Sequence, residues 1–225
     1  MSSTSFLSLE AAFAQEKIPQ TSLTKVPEPT TKQLNLYGGN IIPPTTKVLG
    51  YSLNDVAKAI AYFTASGNNL AFLPQTPFQI LYIQDFTNNT GTFTVRPGTI
   101  LFVPLGASDN SPPVVGNYPN NSQAAANYVF GSQQLGATFE IVVDGVKTTI
   151  DDPRYIGGPV LTPGLPNGGS NFLQVGVFLT PLSPGEHTIS GKFSANGQAV
   201  INILGQPLSV PFTYRTHLTS YEVLN

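Results

Sequence analysis

The chain has 225 residues, of which 10% are Asp, Glu, Lys or Arg and 40% are hydrophobic, with a formal net charge of −2 and no cysteine. So few basic groups cannot neutralise many phosphates, which argues against a nucleic-acid partner, and the missing thiols exclude disulfides, thiolate metal sites and a cysteine nucleophile. No apolar run approaches the ~20 residues that a membrane-spanning helix needs, while a chain of this length can build one all-β domain without covalent staples.

Polarity comes instead from Asn, Gln, Ser and Thr, a surface associated with exported proteins. The 21 Gly and 20 Pro are spread along the chain and punctuate many turns and short strands.

Residues 1–15 end in Ala11-Ala12-Phe13-Ala14-Gln15, where Ala12 and Ala14 fit a small-residue cleavage site; the segment reads as a signal remnant or as a short amphipathic helix. Residues 16–47 carry Pro27, Pro29, Pro43 and Pro44 and read as an extended arm or linker, with 34–37 able to add an edge strand. Residues 48–225 then form a single β-sandwich domain.

Within it, 52–66 is the one convincing helix. Leu53, Val56, Ala57, Ile60 and Phe63 recur at helical spacing, Ser52 or Asn54 can cap the start, and Gly67 can end it in a left-handed conformation. The pattern then turns to strands. Residues 78–86 are β-rich, and 92–95 with 99–103 read as a hairpin around Arg96-Pro97-Gly98. A short helix is expected at 122–130, through Ala124 to Ala126. The clearest hairpin joins 138–143 to 146–150 through Asp144-Gly145, a pair that tolerates the positive φ of a two-residue turn. Strands at 172–179, 186–193, 199–204 and 208–214 complete the pattern, with Ser183-Pro184-Gly185 joining two of them tightly. Eight or nine strands predict an all-β fold: a two-layer antiparallel β-sandwich, Ig-like or jelly-roll, with one N-terminal helix and an extended N-terminal arm.

Two Pro- and Gly-rich loops, 106–121 and 151–170, are long enough to carry function. Tyr118, Tyr128, Arg154 and Tyr155 lie in or beside them and form a candidate contact patch, since Tyr and Arg combine apolar bodies with polar reach. Asp109, Asp151 and Asp152 supply oxygen ligands suited to calcium, the one cofactor the chain suggests; the competing reading is a turn in which Asp caps local N–H groups. His187 follows Glu186 in a strand, so the two point to opposite faces and cannot serve each other as acid and base. His217 lies near the end of the chain. Two carboxylates from distant strands could flank a sugar-cleaving cleft, but no Trp is present to make a sugar platform. Gly157-Gly158 and Gly168-Gly169 read as loop glycines with no following helix, which gives no phosphate cradle. Asn88-Asn89-Thr90 and Asn120-Asn121-Ser122 match the glycosylation sequon.

The succession Val95-Arg96-Pro97-Gly98-Thr99, Asp109-Asn110-Ser111-Pro112-Pro113, Tyr128-Val129-Phe130-Gly131, Val143-Asp144-Gly145, Gly158-Pro159 and Pro184-Gly185-Glu186-His187-Thr188 resembles a loosely defined group of exported-type bacterial β-sandwich proteins. The likeness spans residues 92–191 and implies class and export; it implies no activity and no site residues. The function expected is that of a non-enzymatic binding or assembly protein, outside the cell, in the periplasm or on the cell surface, whose partner is a protein or a glycan and which can form oligomers. A carbohydrate-binding or carbohydrate-active module and a coat-type structural subunit are the alternatives.

Overall fold

A reciprocal cap sets the first element of the computed structural model, which describes residues 40–219. Helix α1 (Leu53–Ala65) starts where Ser52 Oγ accepts from the Asp55 N–H at 3.2 Å and Asp55 Oδ2 accepts from the Ser52 N–H at 2.9 Å. Leu53, Val56, Ala57, Ile60, Ala61 and Phe63 form its buried stripe. Past Ser66, Gly67 and Asn68 turn left-handed, with φ of +70° and +62°. The readings made for 1–15, for the arm up to 39 and for 34–37 lie outside the described residues. The last part of the arm is anchored: Ile41 and Ile42 are buried in the same core as the sheets, and the Ile42 N–H donates to Phe178 O at 2.8 Å.

The strands are β1 (Gln79–Ile80), β2 (Thr90–Val95), β3 (Leu101–Asp109), β4 (Ala137–Val143), β5 (Val146–Ile150), β6 (Ile156–Leu161), β7 (Asn171–Leu179), β8 (Gly185–Ala195) and β9 (Leu208–Leu218). Helices α2 (Ser122–Phe130) and α3 (Gln198–Leu204) fall between β3 and β4 and between β8 and β9. One sheet has the order β1-β3-β7-β6 and the other β2-β9-β8-β4-β5. The result is a β-rich, sandwich-like architecture of two mixed sheets with few helices. Its departure from a purely antiparallel sandwich lies at the edges, where β1 runs parallel to β3 and β2 parallel to β9. Strand β7 is buried at every position from 172 to 179, whereas β2 and β9 alternate.

Three expectations hold in detail. The β4–β5 hairpin turns at Asp144 (φ +48°) and Gly145 (φ +85°), with Val143 opposite Val146. Helix α2 occupies the expected residues and is capped by Asn121, whose Oδ1 accepts from the Ala124 N–H at 2.9 Å. Strands β7, β8 and β9 stand where they were read, longer at one or both ends.

Others are corrected. Residues 92–103 do make a reversal, with the Thr99 N–H donating to Arg96 O at 3.1 Å. But β2 and β3 leave it into different sheets, so it is an arch and not a hairpin. The Ser183-Pro184-Gly185 link likewise carries the chain from β7 in one sheet to β8 in the other. Residues 199–204, read as a strand, form α3, bracketed by Gly197 and by Gly205 in a left-handed cap of φ +73°. The β-rich run 78–86 supplies only the two residues of β1. The loop read at 151–170 contains β6, and the loop read from 106 begins inside β3.

Strand β6 places α1. Gly157 carries no side chain, and a Cβ there would collide with the Leu53 carbonyl oxygen and crowd Ala57. Beside it, the Gly158 N–H donates to Asn54 Oδ1 at 2.6 Å, locking the first turn of the helix to the edge of the sheet. Among the described residues no helix is long and apolar enough to cross a membrane.

Candidate functional site

Tyr118 and Tyr128 do come together. Their ring centroids stand 5.4 Å apart, edge to face, and both hydroxyls reach Ser108: Tyr128 Oη lies 3.0 Å from its Oγ and Tyr118 Oη donates to its carbonyl at 3.2 Å. Tyr128 is 1% exposed and therefore belongs to the core. Burial, aided by the neighbouring Asp109 charge, raises both phenols against the pull of the Ser108 hydrogen bond on Tyr128, which is pushed up to about 12. Neither ionises near neutral pH. Arg154 and Tyr155 have other partners. They sit in a 3₁₀ turn (Pro153–Tyr155) in which the Arg154 guanidinium forks onto Asp152 at 2.6–3.0 Å. Tyr155 is 4% exposed and its hydroxyl points at Ile42 O, 3.5 Å away.

The three loop carboxylates act locally. Asp109 Oδ1 accepts from the Ser111 N–H at 2.7 Å, and Asp152 caps its own turn through the Arg154 N–H at 2.9 Å. The Arg154 side chain holds the Asp152 carboxyl below its ordinary value. Asp151 is exposed. Among the described residues no three His, Asp or Glu side chains gather as a metal-holding group.

The cavity lies elsewhere and follows from the edges of the two sheets. Strand β1 covers only Leu101 and Phe102 of β3, and β2 covers β9 only from Thr213 to Leu218. The remainder of both strands has no outer partner strand among the described residues. At that level a cavity of about 240 Å³ opens, lined by β3 from Pro104 to Asp109, by β9 from Leu208 to Tyr214, and by Ile60, Phe63, Phe172, Gln174 and Phe193. A register shift between Pro104 and Gly106 re-aims β3 here. Phe63, Tyr82, Phe212 and Tyr214 give one wall its rings, tied together through Phe93 behind them: Phe63 to Tyr82 at 5.2 Å, Tyr82 to Phe93 at 5.2 Å, Phe93 to Tyr214 at 6.1 Å and Tyr214 to Phe212 at 5.3 Å.

Polar groups interrupt this wall sparingly. Gln174 is 2% exposed; its Nε2 donates to Gly106 O at 2.7 Å and to Val175 O at 2.6 Å, while its Oε1 has no donor. Burial alone raises the Tyr214 phenol well above its ordinary value, so it stays neutral. Among the described residues no Lys, Arg or His lines the cavity. Such a site can hold a small body by burial and orient it through a few hydrogen bonds. Sequence reading missed it because its residues count as ordinary strand and helix core. One signal was visible: Gln174 is the lone polar side chain in the run from Phe172 to Val177, inside a strand buried on both faces.

A second cluster has the outline of a hydrolytic triad. His187 Nδ1 lies 2.6 Å from Asp144 Oδ2, and Nε2 lies 3.4 Å from Ser183 Oγ. Yet Nε2 is closer to the Ser183 carbonyl, at 2.8 Å, an oxygen that can only accept. That nitrogen therefore carries a proton and cannot take one from Ser183. The cluster is a staple between the β4–β5 turn and the approach to β8. On the opposite face of β8, Glu186 stands beside His217 across the ladder, 3.0 Å apart and without hydrogen-bond alignment.

No family model, no curated protein and no solved structure matches the chain.

Proposed function

We propose that the chain is a non-enzymatic binding protein, exported or at the cell surface, whose ligand is a small apolar molecule held between the sheets. The observation that carries this reading is the 240 Å³ cavity with its aromatic wall, at the one level where both sheets run out of outer strand. Ligand sites are concave, mostly apolar and furnished with a few fixed polar groups, and this cavity has that composition. A wall of Phe and Tyr rings favours an apolar body over a saccharide, whose hydroxyls would meet carbon on most sides. Export rests on the low charge and the Asn-, Ser- and Thr-rich surface.

The finer architecture in this reading is Ig-like. The orders β1-β3-β7-β6 and β9-β8-β4-β5 run as A-B-E-D and G-F-C-C′, with β2 added beside G. The direction of β1 is the departure.

The test is a titration of the full chain with ethylbenzene and 1-methylnaphthalene, followed by amide NMR shifts. Saturable shifts confined to residues 104–109 and 208–214 are expected. Shifts scattered over the surface, or none at millimolar ligand, reject the reading.

A further inference from the structure

The amide and carboxylate oxygens that the cavity leaves open are acceptors, set beside the hydroxyls of Thr64, Tyr82 and Tyr214, which can donate or accept. Three amides line it, and all are turned the same way. Gln174 spends its nitrogen on Gly106 O and Val175 O, Asn68 donates to Ile83 O at 3.2 Å, and Asn167 donates to Ala65 O at 3.4 Å. Each partner is a backbone carbonyl, which can only accept, so the amide nitrogen must face it and the side-chain oxygen must face away. None of the three oxygens has a donor among the described residues, and that of Gln174 is fully buried. The Asp109 carboxylate lines the same cavity, and its one hydrogen bond, from the Ser111 N–H, uses only Oδ1. Among the described residues the lining holds no cation, so an anionic ligand would meet the Asp109 charge with only neutral hydroxyls to donate to it and no ion partner.

Resting on the reading of the cavity as a binding site, we propose that its ligand is a neutral or cationic molecule with an aromatic or aliphatic body and an N–H or O–H donor, and that anions of the same shape are refused. A cavity of 150 Å³ holds benzene, so 240 Å³ corresponds to about ten non-hydrogen atoms. An arylalkyl amine or alcohol is of that size. Its ring meets Phe63, Tyr82, Phe212 and Tyr214, its donor meets Asp109 or an amide oxygen, and a protonated amine gains further from the ring faces.

The experiment titrates the full chain with 2-phenylethylamine, 2-phenylethanol, phenylacetate and ethylbenzene under one buffer and salt, reading dissociation constants from amide shifts at 104–109 and 208–214. The amine and the alcohol should bind at least about tenfold tighter than phenylacetate, the size expected for a hydrogen bond to a charged or buried acceptor. Asp109→Asn keeps the Oδ1 that caps Ser111 and should weaken the amine severalfold more than it weakens ethylbenzene. Phenylacetate binding as tightly as the amine, or ethylbenzene binding tightest, overturns this inference while the cavity remains a binding site. Failure of all four overturns the binding reading itself, and this inference with it.

Discussion

His187 sits between two acceptors, the Asp144 carboxylate at 2.6 Å and the Ser183 carbonyl at 2.8 Å, and only the imidazolium can donate to both. Burial is the largest single influence and disfavours the charge, but the Asp144 and Ser183 hydrogen bonds together outweigh it and hold the ring above its ordinary value of 6.5. The folded state therefore binds the proton more tightly than the unfolded chain. The staple contributes in full below about pH 6.5 and fades as the pH rises through the folded value. Urea midpoints measured below, near and above that pH should fall for the wild type and stay flatter for His187→Gln; parallel profiles would remove the staple from the account. In α1, Ser52→Ala breaks the capping box. Its expected cost is about 1 kcal/mol, or about 2–4 °C in Tm for a domain this size, read by calorimetry. Of the two caps read from the sequence, Ser52 and Asn54, it is Ser52 that caps, paired with Asp55, while Asn54 holds the Gly158 N–H. The staple was not legible there, because Asp144 and His187 are 43 residues apart and meet only through the β4–β8 pairing.

At the level of elements, turn chemistry reported where the chain reverses but not where it goes next. Asp144-Gly145 and Pro97-Gly98 both reverse it, with Gly98 at φ +85°. One reversal keeps the chain in its sheet and the other changes sheets: β3 opens with the continuous buried run 101–103 and pairs with the fully buried β7, whereas β2 alternates and suits an edge. The run 199–204 has strand-forming side chains but buries only Ala199 and Val200, too few for a ladder, and its flanking glycines suit helix ends better. Strand β6 was hidden by Gly157-Gly158-Pro159, which reads as a loop until the helix it admits is seen. The same glycine yields the prediction at this scale. Gly157→Ala should drive α1 off β6 and cost about 1–3 kcal/mol, the range for overpacking. Amide exchange should accelerate in α1 and stay near wild type in the distant β4–β5 hairpin. Unchanged exchange along α1 would mean that the helix seat yields freely.

For the whole molecule, the cavity is a cost as well as a site. A dry void forfeits roughly 24 cal/mol per Å³ of its volume, so 240 Å³ represents up to about 6 kcal/mol that tighter packing would return, less whatever solvent recovers at the mouth. Large side chains fill the sheets around it: Phe102, Phe172, Leu173 and Ile189 are among the largest fully buried ones. Binding function and stability should therefore oppose each other there. Ala107 lines the cavity from β3, and Ala107→Ile places a β-branched side chain into the void without disturbing the ladder to Gln174. A gain of about 0.5–2 kcal/mol is expected from filling of this kind, a rise in Tm of a few degrees. The same variant should lose the ethylbenzene shifts at 104–109 and 208–214. A variant that is stabilised and still binds would place the ligand outside the cavity. One that is destabilised and no longer binds would mean that the level is already filled by side chains in solution. Only the combination of higher Tm and lost binding fits a void kept open for a ligand.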